Sequence, residues 1–95
     1  MHAEITHKIP QGKLVRLSMD YDTTILQKIR ICGDFFIHPE ETILDMEGVL
    51  TSLPVEAGEE RIRHLLDRAV EHRHAQLIGI DTLTLARLIH EAINQ

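Results

Sequence analysis

A two-layer α+β domain is predicted, with a three-stranded antiparallel meander over residues 3–37 and about three helices over 39–95 covering one of its faces. Two patterns carry that prediction. Apolar residues alternate with polar ones through the first third of the chain, and recur at helical spacing through the rest. Ninety-five residues with no repeat, low-complexity tract or linker fit one domain spanning 1–95. A chain of that length buries roughly two-thirds of the surface it exposes when unfolded.

In the first strand Ala3, Ile5, His7 and Ile9 alternate with Glu4, Thr6 and Lys8. Ile9-Pro10-Gln11-Gly12 reads as a tight turn, with proline second and glycine fourth. Beyond Lys13, Val15, Leu17, Met19 and Tyr21 take one face, and Arg16, Ser18, Asp20 and Asp22 the other. The chain reverses near Thr23-Thr24, and Ile25, Ile29, Ile31 and Phe35 continue the odd-numbered apolar face. A one-residue slip would turn that face to water, so odd must pair with odd. Of the two registers that satisfy this, one sets Arg16 opposite Arg30; the other sets Asp20 opposite Lys28 and Ser18 opposite Arg30. The second is expected, because like charges directly opposite each other repel. Lys13 then sits at the sheet rim on the inward parity, placed to snorkel outward.

Gly33, inside the third strand pattern, suggests a bulge or a close backbone approach. The only two phenylalanines, Phe35 and Phe36, follow at an expected strand-to-helix junction. Parity puts Phe36 outward with Asp34 unless a bulge at Gly33 flips them. Pro39 suits the first helical position, and Glu40 and Glu41 the first turn, where the helix dipole favours them. This helix is expected to carry Ile43, Met46, Val49 and Leu50 inward and to end near Leu53-Pro54. A second is expected from about Gly58 to His72, with Ile62, Leu65, Leu66, Ala69 and Val70 on its stripe. After a polar break at 72–76 and a short extended connection at 77–80, Asp81 caps a last helix bearing Leu83, Ala86, Ile89 and Ile93.

The net charge of −5 is unevenly spread. Residues 1–37 hold five Lys/Arg against four Asp/Glu, so +1; residues 38–95 hold five against eleven, so −6. An acidic total argues against a dedicated nucleic-acid binder, which needs a basic face. One cysteine, Cys32, excludes an internal disulfide and fits a reducing compartment. Met1-His2-Ala3-Glu4 opens no basic segment followed by an apolar stretch, so no signal peptide is expected. No apolar run approaches the roughly twenty residues of a membrane helix, so the expected localisation is cytoplasmic. The seven histidines are expected to be solvated. His72 and His74 do not share a helix face, His64 and His72 lie two turns apart, and no metal is expected.

Taken together, His7-Lys8-Ile9-Pro10-Gln11-Gly12-Lys13-Leu14-Val15 and Ile31-Cys32-Gly33-Asp34-Phe35-Phe36-Ile37-His38-Pro39-Glu40-Glu41 resemble a known family. It is the C-terminal accessory domain of lipoate–protein ligases, which in some archaea and bacteria is a separate small subunit. The likeness covers residues 7–50 well and continues loosely through Gly79-Ile80-Asp81. Cys32 departs from it, standing where a small hydroxyl residue is expected, and the Thr23-Thr24 hairpin lacks the usual turn glycine.

The resemblance implies an accessory chain that binds no cofactor alone. In the complex, a large catalytic subunit binds lipoate and ATP with magnesium, forms lipoyl-adenylate, and transfers the lipoyl group to a lysine of an acceptor domain. The sequence agrees in having no glycine-rich phosphate loop and no recognisable nucleophile–base pair. Lys13 is the candidate contributor to the partner's active site, since a rim lysine can neutralise charge on a phosphate or carboxylate; a plain snorkelling lysine is the competing reading. Pro10, Gly12, Gly33, Asp34, Phe35 and Phe36 are the candidate partner-binding residues. Against that, Gly12 is expected to serve the turn and Asp34 to cap backbone N–H groups at the bend, and the competing reading of both rings is core packing. Two other readings remain: a stand-alone sulfur-handling or protein-binding module using Cys32 near Arg16 or Arg30, though a mid-strand cysteine is more often inert packing, and a homodimer joined through Phe36.

Overall fold

The computed structural model describes residues 1–10 and 13–94. Strands β1 (His2–Lys8), β2 (Leu14–Tyr21) and β3 (Leu26–Gly33) form the antiparallel meander in the order β1-β2-β3. Ser18 faces Arg30 and Asp20 faces Lys28 across β2 and β3, the register that separates like charges. Val15, Leu17, Met19, Ile29 and Ile31 are buried on the inner face.

The odd-numbered parity fails at one place. The register shifts between Asp20 and Tyr21, Tyr21 pairs with Leu26, and Leu26 rather than Ile25 enters the core. The Asp22 side chain builds this turn. Its carboxylate accepts the N–H of Thr24 at 2.7 Å, the Thr24 hydroxyl at 2.7 Å and the N–H of Ile25 at 2.9 Å. None of residues 22–25 takes a positive φ, so the hairpin needs no glycine.

A second sheet was not foreseen. The sequence predicts a third strand running to residue 37 and, at 77–80, an extended connection without a partner. Instead β3 stops at Gly33, and β4 (Phe36–His38) pairs antiparallel with β5 (Gln76–Ile78), so a strand lies inside the part expected to be helical. Three residues are too few to show a period.

Helix α1 (Glu41–Leu50) starts later and ends sooner than expected. Pro39 lies before it, and its carbonyl accepts the Thr42 N–H at 3.1 Å. Past Leu50 the chain turns through Ser52, whose φ is 71°, and runs along the free edge of β3. Ser52 donates to the Leu26 carbonyl at 2.7 Å, Leu26 donates to Leu53 at 2.8 Å, and Val55 donates to Thr24 at 2.9 Å. Further along that edge the Glu47 carboxylate accepts the Ile31 N–H at 2.8 Å. These bonds satisfy an edge that would otherwise invite another strand. Helix α2 (Glu59–His72) follows Gly58 as expected, and α3 (Thr82–Ile93) is capped by Asp81, which accepts the Thr84 N–H at 2.6 Å. α1 packs on β3, α3 on β1, and α2 on both α1 and α3. No helix among the described residues is long and apolar enough to cross a membrane.

Two expected core positions are outside. Val49 and Leu83 are exposed, while Thr42, Leu85 and Leu88 are buried, so the inward stripes of α1 and α3 are rotated from those expected. The Thr42 hydroxyl is buried with no hydrogen-bond partner among the described residues. Thr42→Val, which keeps the shape and removes the orphaned hydroxyl, is expected to stabilise the fold by about 1 kcal/mol in urea denaturation.

The Ile25 N–H, then the Thr24 hydroxyl and N–H, hold the Asp22 carboxyl down from its ordinary 3.8 to about 2. A carboxylate depressed in the folded state stabilises it above the unfolded value, and that contribution is lost as pH falls from about 4 through about 2. Asp22→Ala should therefore lower the melting temperature more at neutral pH than at pH 2, flattening the acid limb of the stability curve.

Candidate functional site

The site begins where β3 meets the start of β2. A Cβ on Gly33 would collide with the Leu14 carbonyl oxygen, so only glycine lets the two backbones approach this closely. The same carbonyl accepts the Asp34 N–H at 2.9 Å. This contact turns the chain out of the meander and splits the two rings. Phe35 goes inward, 8% exposed, and Phe36 goes outward, 57% exposed.

Lys13 precedes Leu14 and is half-buried. Its ammonium nitrogen lies 5.9 Å from the centroid of the Phe36 ring, within cation–π reach. Its methylenes pass over Gly79, at the end of β5. The rim lysine does snorkel, and it does so across the second sheet onto an exposed aromatic. A cleft of about 360 Å³ opens beside it, with Ile9, Pro10 and Lys13 on one wall and Ile78 to Asp81 with Thr84 on the other. The Ile9 N–H donates to the Lys13 carbonyl at 2.7 Å, while the tight turn expected over Ile9-Pro10-Gln11-Gly12 falls partly outside the described residues.

On the far side of Phe36 the surface is apolar. Phe36 pairs with Ile78, which is 44% exposed. Phe36 also shares a shallow groove of about 450 Å³ with Ile43 and Leu44. Leu44 is 68% exposed. Ile78, Phe36 and Leu44 together form an exposed apolar strip. Glu40 and Glu41 border it, so the strip has a cation at one end and carboxylates along one side.

Of the candidate residues, Pro10, Lys13, Gly33, Asp34 and Phe36 gather at this end of the molecule, while Gly12 lies outside the described residues. Phe35 serves the core. Asp34 is exposed, and among the described residues no backbone N–H donates to its carboxylate, so the expected cap is replaced by its own N–H bonding to Leu14. Ile78, Gly79 and Leu44 were not singled out as site residues. Leu44 carried a signal, being a leucine off the inward stripe of its helix. Ile78 carried none, because its exposure depends on a pairing forty residues distant in sequence.

Cys32 is not packed away. It is exposed on the outer face of the meander, opposite Arg16 and two residues from Arg30. Among the described residues no three His, Cys, Asp or Glu side chains converge as a metal would require.

No protein-family model matches the chain. Over 57 residues it is 33% identical to lipoate-protein ligase A subunit 2 of Thermoplasma acidophilum, a stretch making up 60% of this chain and 61% of that protein. The match thus spans about three-fifths of the relative's length. The fold matches a chain from a solved archaeal lipoylation system of Thermoplasma acidophilum, described as a bi-partite lipoate protein ligase and its E2 lipoyl domain. The TM-score is 0.71 at 23% identity, covering 92% of this chain and 94% of that one. At that identity the structural likeness establishes the fold, a small α+β architecture shared over nearly the whole length of both chains.

Because Cys32 is exposed, the folded chain is expected to give one equivalent of free thiol to an aromatic disulfide reagent without denaturant. Less than a tenth of an equivalent would contradict its position.

Proposed function

We propose that this chain is the accessory subunit of a bipartite lipoate–protein ligase. It docks through the Ile78–Phe36–Leu44 strip on a larger chain that binds lipoate and ATP with magnesium. It brings Lys13 to the margin of that chain's active site, where lipoate is activated to lipoyl-adenylate before transfer to a lysine of an acceptor domain. The observation that carries the proposal is the seating of the Lys13 ammonium against the Phe36 ring, which makes one surface of the two sequence motifs. The resemblance to the Thermoplasma relative points the same way. In this reading Pro10, Gly12, Gly33 and Asp34 shape the contact. Lys13 contributes a positive charge to a phosphate or carboxylate, which a site shielded from water makes more effective than it would be in bulk solvent. The isolated chain performs no activation, and the complex works in the cytoplasm.

A second reading rests on Cys32. An exposed thiol opposite Arg16 and two residues from Arg30 is accessible in the way a stand-alone sulfur-handling module would need. Cys32→Ala separates the two, since the ligase reading expects lipoyl-adenylate formation to survive it.

The direct test is reconstitution with a ligase large chain that lacks this region. Phe36→Asp should weaken binding by about 30-fold or more, as loss of an interface anchor does. Lys13→Met should lower lipoyl-adenylate formation at saturating accessory chain by about tenfold or more. Full activity of the large chain alone, or activity of this chain alone, would overturn the proposal.

A further inference from the structure

The path of Lys13 depends on what residue 79 lacks. A Cβ built there would lie 3.2 Å from Cγ of Lys13 and 3.4 Å from both Cδ and Cε. Three consecutive methylenes at nearly one distance mean that the stem lies flat across the glycine. A Cβ there would press Cγ back by a few tenths of an ångström, and a longer side chain lying over the stem would displace it. Beyond the glycine the ammonium meets the Phe36 ring, and Phe36 pairs with Ile78, the residue immediately before the slot. The lysine is thus held at two neighbouring points of one small sheet, its stem by a gap and its charge by a ring face. A free lysine on a sheet rim would instead sample many rotamers.

We propose that Gly79 is a positioning residue for Lys13: its missing side chain is the slot that, with the Phe36 ring, fixes the ammonium over that ring, ready for an anionic group on the partner. This rests on the reading that Lys13 serves a shared active site. The competing explanation for Gly79 is conformational, since its φ of 86° favours glycine in any case. The two explanations separate chemically. Asparagine tolerates a positive φ better than other side chains do, so Gly79→Asn meets the backbone requirement while filling the slot.

Two readouts test this. In the nuclear magnetic resonance spectrum of the full chain, the Lys13 ε-methylene protons should be shifted upfield by the Phe36 ring current. The shift should vanish in Phe36→Leu and in Gly79→Asn. In the reconstituted complex, Gly79→Asn should lower turnover at saturating accessory chain roughly tenfold, leaving the half-saturating concentration of accessory chain unchanged, as a purely docking defect would not. An unshifted Lys13 in the unaltered protein would overturn the proposal, whatever the variant does. So would a Gly79→Asn chain that keeps the shift, or one whose turnover stays within twofold. An unaltered complex that forms no lipoyl-adenylate would overturn the functional reading instead, while the ring-current shift still decides whether Gly79 and Phe36 hold the lysine.

Discussion

The close approach of Gly33 to Leu14 is the constraint on which the Lys13–Phe36 end of this molecule depends. With any side chain at 33, β3 could not come within reach of the Leu14 carbonyl, and Asp34 could not donate to it. That one contact ends the meander and sends consecutive aromatics to opposite sides. Phe35 helps close the core, and Phe36 is left as the first residue of a separate two-stranded sheet. Because the acceptor is Leu14, the bend is anchored one residue from Lys13, so the lysine and the outward ring are neighbours by construction.

The partner strand of that small sheet is positioned from the helical side. Helix α2 ends at His72, and Arg73, hydrogen-bonded to Asp45 of α1, pins the chain where it leaves the helix. His74, with φ of 49°, then turns the chain into β5. At the other end of β5, Gly79 precedes a helix start fixed by the Asp81 cap and by the Thr82 hydroxyl donating to Asp67 of α2. The helices therefore place β5 as firmly as the meander places β4. The surface where the two strands meet is built by segments far apart in sequence, which is why its geometry is set only once the whole domain has folded.

The alternation through β2 and β3, and the repulsion between like charges, were enough to read the meander and its register from sequence. The Gly58 and Asp81 boundaries were legible because capping chemistry is local. What escaped shares a cause. The Asp22 turn, the early end of α1 and the β4–β5 pair all depend on a hydrogen bond to a group distant in sequence or on an unforeseen use of a side chain. At the site, parity and the two motifs brought Lys13 and Phe36 to attention, but not the slot at Gly79 through which one reaches the other. The Val49 and Leu83 misplacements are of the same kind, since periodicity fixes that a stripe exists more firmly than which residues lie at its margins.

The character of the exposed strip bears on what can cover it. In a twofold dimer only groups on the axis meet themselves, so a contact centred on Phe36 sets ring against ring and leaves the charged border to pair according to where the axis runs. A chain of net charge −5 also repels its copy before contact is made. A different protein is under no such restriction. It can set an apolar pocket against Phe36, Ile78 and Leu44, basic groups beside the two glutamates, and an anion at the Lys13 end. The proposed ligase complex asks for that arrangement, because the anion it requires is one its reaction already supplies: the carboxylate of the acid being activated, or the phosphate of the adenylate that forms from it.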